Sequence, residues 1–257
     1  MSSRDAIEVR HCSGLAEYEE CVRIQRVTWG DDLIVPSGLS RIAQRTGGQV
    51  LGAFDGNRMV GFTLAFAGMR SGEPFLHSHQ TAVLPEYRDS GVGRRLKLFQ
   101  RQDALKRGIK LVEWTFDPLE LKNAYFNLVR LGAIARVLIP NCYGITGSAL
   151  HAGLPTDRLV AEWWLDSVRV KSILADIALP SGGSALRIPL PSNINEIKSA
   201  DPADGARIQT AAREQFQTWF AAGYAATAIE QLDETTEFIL EPANAIAGLS
   251  LPAAEEH

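Results

Sequence analysis

Apolar and polar side chains alternate from Ile7 to Cys12, a period of two that predicts a first strand. From Leu15 to about Trp29 the apolar positions Tyr18, Cys21, Val22 and Val27 keep roughly helical spacing, with Ser13 placed as the helix cap. Gly30-Asp31-Asp32 and Pro36-Ser37-Gly38 interrupt the pattern, and a short helix follows at about Leu39–Arg45. Gln49–Phe54 and Met59–Met69 read as a hairpin across Asp55-Gly56-Asn57, and Leu76–Leu84 as the next strand. Gly91–Arg107 has Val92, Leu96 and Phe99 on one helical face and ends at Gly108. A strand at Ile109–Phe116, a helix at Leu121–Leu131 ended by Gly132, and strands at Ala133–Ile139 and Leu159–Leu165 complete this part. Trp163 and Trp164 alternate faces on the last strand, so one of them packs inward.

The order β-α-α-β-β-β-α-β-α-β-β predicts an α/β (α+β) fold, a mixed, mostly antiparallel sheet flanked by helices. The pattern then loosens over about 168–192, where Ser181-Gly182-Gly183-Ser184 reads as a flexible joint. Asp201-Pro202 is a strong helix start, and the helix runs to about Ala222 before Gly223. A hairpin at Tyr224–Leu232 and Thr236–Leu240 follows. Residues 168–257 are therefore expected to be a small C-terminal α+β extension to a domain spanning 1–167.

With 46% hydrophobic residues among 257, the chain can bury a substantial core. A formal net charge of -4 disfavours nucleic acid as a partner. The charge is uneven: residues 1–167 carry 20 Lys+Arg against 18 Asp+Glu, and residues 168–257 carry 6 against 12. Cys12, Cys21 and Cys142 have neither zinc spacing nor a disulfide framework, so no metal is expected and a reducing cytoplasm is. No apolar run approaches the ~20 residues of a membrane helix, so no membrane association is expected either.

The stretch His79–Leu96, HQTAVLPEYRDSGVGRRL, carries the chemistry. A strand ends at Leu84, a turn follows, and a helix opens on Arg88-x-x-Gly91-x-Gly93. Such a turn aims unpaired N–H groups and the positive end of a helix dipole at one spot, which suits a phosphate or pyrophosphate. The glycines permit positive φ and close approach of a ligand to the backbone. A dinucleotide site of the Gly-x-Gly-x-x-Gly kind would need glycine at Leu96, and the chain lacks a Gly-Lys-Ser/Thr phosphate loop.

Element order and turn together resemble the GNAT superfamily of acyl-coenzyme A-dependent N-acyltransferases. Its signature of an apolar strand, Arg or Gln-x-x-Gly-x-Gly or Ala, then a helix is matched by Ala82-Val83-Leu84-Pro85-Glu86-Tyr87-Arg88-Asp89-Ser90-Gly91-Val92-Gly93. The likeness covers about residues 5–167, and the WTFDPL and NAYFNLVRLGA segments are similar to a prokaryotic subgroup. It implies acetyl-CoA as co-substrate, with Thr81, Ala82 and Val83 pairing with the pantetheine arm as an added strand would. It also implies that the N–H groups of Asp89, Ser90, Gly91, Val92, Gly93 and Arg94 hold the pyrophosphate. Arg88 and Arg94 are the cations named for phosphate. The other basic residues of the helix, Arg95, Lys97, Arg101, Lys106, Arg107 and Lys110, read mostly as a solvated face. Asn123 and Asn127, at i and i+4, share a face that either meets the thiol end of the cofactor or is ordinary helix polarity.

His77, His79, Thr81 and Val83 share one strand face, and the two histidines stand ~7 Å apart at ~3.3 Å per residue. An ammonium must lose a proton before it attacks a thioester, and an imidazole titrating near ~6.5 can take it. The His-x-His spacing is similar to that of the serotonin N-acetyltransferase branch, whose paired histidines relay the proton. One departure stands out: the family's general-acid tyrosine, four residues before the helix-ending glycine, falls here on Leu128. Tyr143, ahead of Tyr125, is the substitute named. Trp114 and Asp117 end the strand that the resemblance places beside the acyl-pantetheine; Asp117 either anchors a cationic amine or caps the helix before Pro118. Trp29, with Asp31 and Asp32, either suits an amine with an apolar body or belongs to a solvated loop. The function implied is transfer of an acetyl group to a primary amine, on a small molecule or a protein N-terminus; the resemblance leaves both a monomer and a homodimer open. The alternative is a non-catalytic acyl-CoA sensor on the same fold.

Overall fold

A computed structural model describes residues 7–31, 34–145, 153–179, 185–246, 249 and 251. Asp32 and the Ser181–Ser184 joint lie outside the described residues. By internal contacts the chain divides into two units, Met1–Glu113 and Trp114–His257.

The first unit contains β1 (Glu8–His11), α1 (Gly14–Trp29), α2 (Ser37–Arg45), β2 (Gln49–Asp55), β3 (Arg58–Arg70), β4 (Glu73–Val83) and α3 (Val92–Lys106), and it ends within β5 (Leu111–Phe116). Its strand order is β1-β2-β3-β4-β5. The first three pairings are antiparallel, and β4 and β5 pair in parallel at Phe75–Leu111, Leu76–Val112 and His77–Glu113. Ser71 and Gly72, at φ 49° and 81°, make the two-residue turn between β3 and β4.

Both faces of this sheet are covered. Cys12, Tyr18, Cys21, Ile24, Phe62 and Leu64 form one buried cluster with α1 and α2, and Leu51, Val60, Val92 and Leu96 form another with α3. That is why β2 reads as an apolar run rather than an alternation. Ser13 precedes α1, but its side chain accepts no hydrogen bond from the helix. Glu17 reaches back instead and accepts from the Ser13 N–H at 2.6 Å, while its carboxylate takes the Arg10 guanidinium in a two-point pair.

The second unit continues from Trp114 in β5 through α4 (Leu121–Tyr125), a π-helical turn (Phe126–Arg130), β6 (Ile134–Ile139), β7 (Arg158–Trp164), α5 (Val168–Leu174), β8 (Leu186–Pro191), α6 (Ile194–Ala200), α7 (Pro202–Ala221), β9 (Tyr224–Gln231) and β10 (Thr235–Pro242). Its strand order is β5-β7-β6-β9-β10-β8. The C-terminal helix and hairpin thus extend the sheet: β9 pairs antiparallel with β6 at Ala135–Ala226, and Phe216 of α7 meets Phe238 of β10 edge to face at 5.1 Å. Asp201 caps α7 by accepting from the N–H groups of Ala203 and Asp204. Trp163 is fully buried and donates its indole N–H to the Leu131 carbonyl, while Trp164 is half-buried.

Two stretches differ from the sequence pattern. The segment expected to link the two parts carries α5 and β8, because Ser167 caps α5 through the Val170 N–H and β8 finds a partner in β10. The helix at Leu121–Leu131 changes to π winding after Tyr125. Chain breakers mark where a helix stops, and nothing in a hydrophobic period marks a change of winding.

Candidate active site

The strand β4 sets the site in the first unit. Leu64 of β3 faces Gln80 and Ala65 faces Ser78, so His79 falls in a register shift with no partner on β3. A bulge of this kind re-aims a side chain. His79 is exposed, while Ser78 and Gln80 on either side are buried. Phe66 meets the His79 ring edge to face at 5.6 Å, and the His77 ring lies 6.2 Å away. The ring is nonetheless partly withdrawn from water. That desolvation, followed by the charge of His77, lowers the His79 pKa below its ordinary 6.5.

Behind His77 stands a buried ion pair. Its Nδ1 is 3.8 Å from Glu113 Oε1, too long for a hydrogen bond, and the other Glu113 oxygen is 3.2 Å from Arg70 NH1. Arg70 and Glu113 are both enclosed. Neither stands out in the sequence as functional, although a carboxylate inside the apolar strand Leu111–Phe116 is itself a signal of a buried partner.

On the opposite face of β4, Lys97 is buried and donates to Ser78 Oγ at 2.8 Å and Gln100 Oε1 at 3.1 Å. Burial lowers its pKa to about 7. This corrects the expectation that Lys97 belongs to a solvated face. The buried side of α3 is Val92, Leu96, Lys97, Gln100 and Ala104, so Lys97 shares the core stripe with the residues around it.

Past β4, Pro85–Tyr87 make one 3-10 turn, and Tyr87 donates to Asp55 Oδ2 at 2.7 Å, fixing the loop to β2. Asp89 and Gly91 then take positive φ, 55° and 84°. Gly91 is the N-cap of α3 and has no side chain to satisfy the first N–H groups, and no acidic residue lies in the first turn. A Cβ on Gly91 would meet nothing within 4 Å, and one on Gly93 only Val83 Cγ2 at 3.9 Å. Arg88 donates from Nε to the Val83 carbonyl at 3.3 Å, and the half-buried Arg94 has a buried Nε with no hydrogen-bond partner among the described residues. Open backbone, unspent donors and two guanidinium groups fit a phosphate-bearing ligand such as coenzyme A. On the β4 residues expected to meet the pantetheine, Thr81 shares a hydroxyl hydrogen bond with Thr63 at 3.1 Å, and Ala82 is buried.

The remaining candidates lie in the second unit, apart from Trp29, which is half-buried on α1 against Phe62 at 6.4 Å. Tyr143 shares a 2.8 Å hydrogen bond with Thr115 Oγ1, and the Arg158 guanidinium sits 5.6 Å from its ring centre. Tyr143 is 47% exposed as a residue, yet desolvation raises its pKa above the ordinary 10. Asp117 is buried; one oxygen accepts from the Leu119 N–H at 2.8 Å and the other is 3.5 Å from Arg158. Burial raises its pKa, against the pull of Arg158. Trp114 packs edge to face on Trp163 at 6.0 Å.

Asn123 is exposed, whereas Asn127 in the π turn is 2% exposed and its Nδ2 has no hydrogen-bond partner among the described residues. Their settings differ although their spacing suggests one face. Leu128 is fully buried beside Asn127. Among the described residues no group of carboxylates, histidines and cysteines is arranged for a metal, and no helix is long and apolar enough to cross a membrane.

Residues 17–126 match the model of the acetyltransferase (GNAT) family. No curated protein matches the sequence. Among solved structures, one from Streptococcus mutans is similar with a TM-score of 0.51 at 16% identity, covering 62% of this chain and 99% of that one. Another, from Desulfovibrio desulfuricans and placed in the GNAT family, has a TM-score of 0.50 at 16% identity, with the same coverage of 62% and 99%. The fold is therefore that of these proteins, and residues 17–126 are similar to the acetyltransferase (GNAT) family.

Proposed function

We propose that this enzyme moves an acetyl group from acetyl-CoA to a primary amine by direct attack, with His79 as general base and Tyr143 as general acid. The observation that carries it is His79: an exposed imidazole in a strand bulge, titrating below 6.5, a few residues before an uncapped helix N-terminus. Acetyl-CoA, when bound, supplies the thioester whose carbonyl carbon forms the new C–N bond as its C–S bond breaks.

The chain supplies position and protons. The N–H groups that open α3, with Arg88 and Arg94, hold the pyrophosphate, and the backbone of Thr81–Val83 lines up the pantetheine arm. At neutral pH His79 is mostly unprotonated, so an imidazole nitrogen is free to accept the ammonium proton. His77 beside it, with Glu113 and Arg70 behind, continues the polar chain from the base into the protein. Tyr143 Oη, raised above 10, holds a proton throughout the physiological range. No cysteine is needed as nucleophile: Cys12 and Cys21 are buried in the core, and the hydrogen bond between them, followed by burial, pushes the Cys21 thiol far up.

We assign residues 1–167 to the acyltransferase domain and 168–257 to a C-terminal extension. The test is saturable binding of acetyl-CoA by calorimetry, on the native chain and on His79→Gln. The expected result is equal affinity in both, with thiol release in the presence of phenethylamine or a free N-terminal peptide reduced at least ~100-fold in the variant. Equal thiol release would remove His79 from the base role. Binding with no release from any amine would favour an acyl-CoA sensor.

A further inference from the structure

Tyr143 lies in a turn that has little holding it from within. Asn141 takes φ 47°, and within the turn the Gly144 N–H donates to the Asn141 carbonyl at 3.1 Å. Thr115 Oγ1 meets the phenol at 2.8 Å, and the backbone of the turn is held from the segment Pro155–Arg158. The Tyr143 N–H donates to Thr156 Oγ1 at 2.8 Å, and that hydroxyl donates to the Gly144 carbonyl at 2.8 Å. The Cys142 N–H donates to the Thr156 carbonyl at 2.9 Å, and the Asn141 N–H to Asp157 Oδ1 at 3.0 Å. Thr156 and Asp157 are 0% and 1% exposed, so these are sheltered bonds.

The far end of this network is helix α7. Arg213 donates from Nε to Asp157 Oδ2 at 2.7 Å and from NH2 to Oδ1 at 3.1 Å, a two-point pair with an enclosed carboxylate. Gln209, one turn earlier, donates to the Pro155 carbonyl at 2.8 Å. A fork of this geometry fixes the plane of the carboxylate as well as its place. The same Asp157 oxygen that receives Arg213 NH2 also receives the Asn141 N–H.

We infer that α7, through Arg213 and Gln209, clamps the turn that presents Tyr143, so that the C-terminal extension positions the phenol for acyl transfer. Arg213 is a positioning residue: it touches Asp157, Asp157 holds the turn, and the turn holds the ring between Thr115 and Arg158. The functional part of this role rests on the reading of Tyr143 as the acid, while the clamp itself can be measured without any substrate.

The experiment uses the full chain with Arg213→Ala and Arg213→Lys, followed by backbone amide exchange and by near-ultraviolet titration of tyrosine with Tyr143→Phe subtracted. With Arg213→Ala, exchange at Asn141, Cys142 and Tyr143 should quicken about tenfold, while β9 and β10 keep their protection. The Tyr143 ionisation midpoint should fall toward 10, because a loosened ring returns to water. Arg213→Lys, which keeps the charge and loses the fork, should fall between. Gln209→Ala should act in the same direction more weakly, and it serves if Arg213→Ala does not fold. Unchanged exchange in the turn, an equal rise throughout the second unit, or an unmoved midpoint would overturn the clamp. Turnover separates the two ideas. Arg213→Ala should lower kcat and leave the KM for acetyl-CoA, with no further loss in a Tyr143→Phe background. Full turnover by Tyr143→Phe would remove the acid and leave the clamp to stand or fall on exchange alone.

Discussion

Replacing Lys97 with methionine tests the electrostatics beneath the histidine strand. Lys97 is 4% exposed, and burial lowers its pKa from 10.5 to about 7. Between these values the unfolded chain binds a proton that the folded chain does not, so stability rises with pH by about 1.4 kcal/mol per unit. Above 10.5 the amine is neutral in both states and Lys97 costs nothing; below about 7 it is charged in both, and the cost is complete. Over the whole window it comes to roughly 5 kcal/mol. Lys97→Met abolishes this dependence, but it also leaves Ser78 Oγ and Gln100 Oε1 without their donor, at about 1–3 kcal/mol each. At pH 7 the two effects largely offset, and the variant should lie within about 3 kcal/mol of the native chain. By pH 10 the native chain should have gained about 4 kcal/mol on the variant. Urea unfolding followed by tryptophan fluorescence at unit pH steps measures this, and groups common to both proteins cancel in the difference. A difference that stays flat with pH would mean that Lys97 keeps its proton in the fold, and would refute the reasoning.

Three further outcomes follow from the geometry. The acidic limb of kcat/KM should reflect a group below 6.5, with activity lost as pH falls through the lowered His79 pKa, and His79→Gln should erase that limb. Gly91→Ala meets no atom within 4 Å but must hold φ 84°, so thermal unfolding should show a loss of roughly 1–2 kcal/mol. The added methyl enters the space proposed for phosphate, so the upward Tm shift given by acetyl-CoA should shrink as well; an undiminished shift would place the anion elsewhere. Arg70→Met leaves Glu113 buried without its guanidinium and should cost about 3–5 kcal/mol in denaturant unfolding. Adding Glu113→Gln should recover part of that loss, and simple additivity would argue against a coupled pair.

Much of this was legible in the chain because it is local. The Arg88-x-x-Gly91-x-Gly93 turn announces an uncapped helix start, and Asp201-Pro202 announces α7, since capping and positive φ depend on a few adjacent residues. The strand bearing His77 and His79 is equally plain, but its alternation cannot reveal a bulge, which arises from the register with β3. Long-range partners were beyond reach for the same reason. Arg70 and Glu113 are 43 residues apart and Asp157 and Arg213 are 56 apart, and no period in the sequence couples positions so distant. Lys97 misled because a lysine on a helix is ordinarily a surface residue, and only its place in the stripe of Leu96 and Gln100 places it inside. The stretch after Ser167 looked unstructured because α5 and β8 are short and draw their stability from the rest of the second unit.

The most direct test of the catalytic claim is a stoichiometric one. The native chain would be incubated with acetyl-CoA and a panel of primary amines, with free thiol and acetylated amine counted together. One thiol released for each amine acetylated, with no acetyl group retained on the protein, is the result expected of direct attack. Tight acetyl-CoA binding without thiol release, or an acetylated protein that forms before the product, would contradict it.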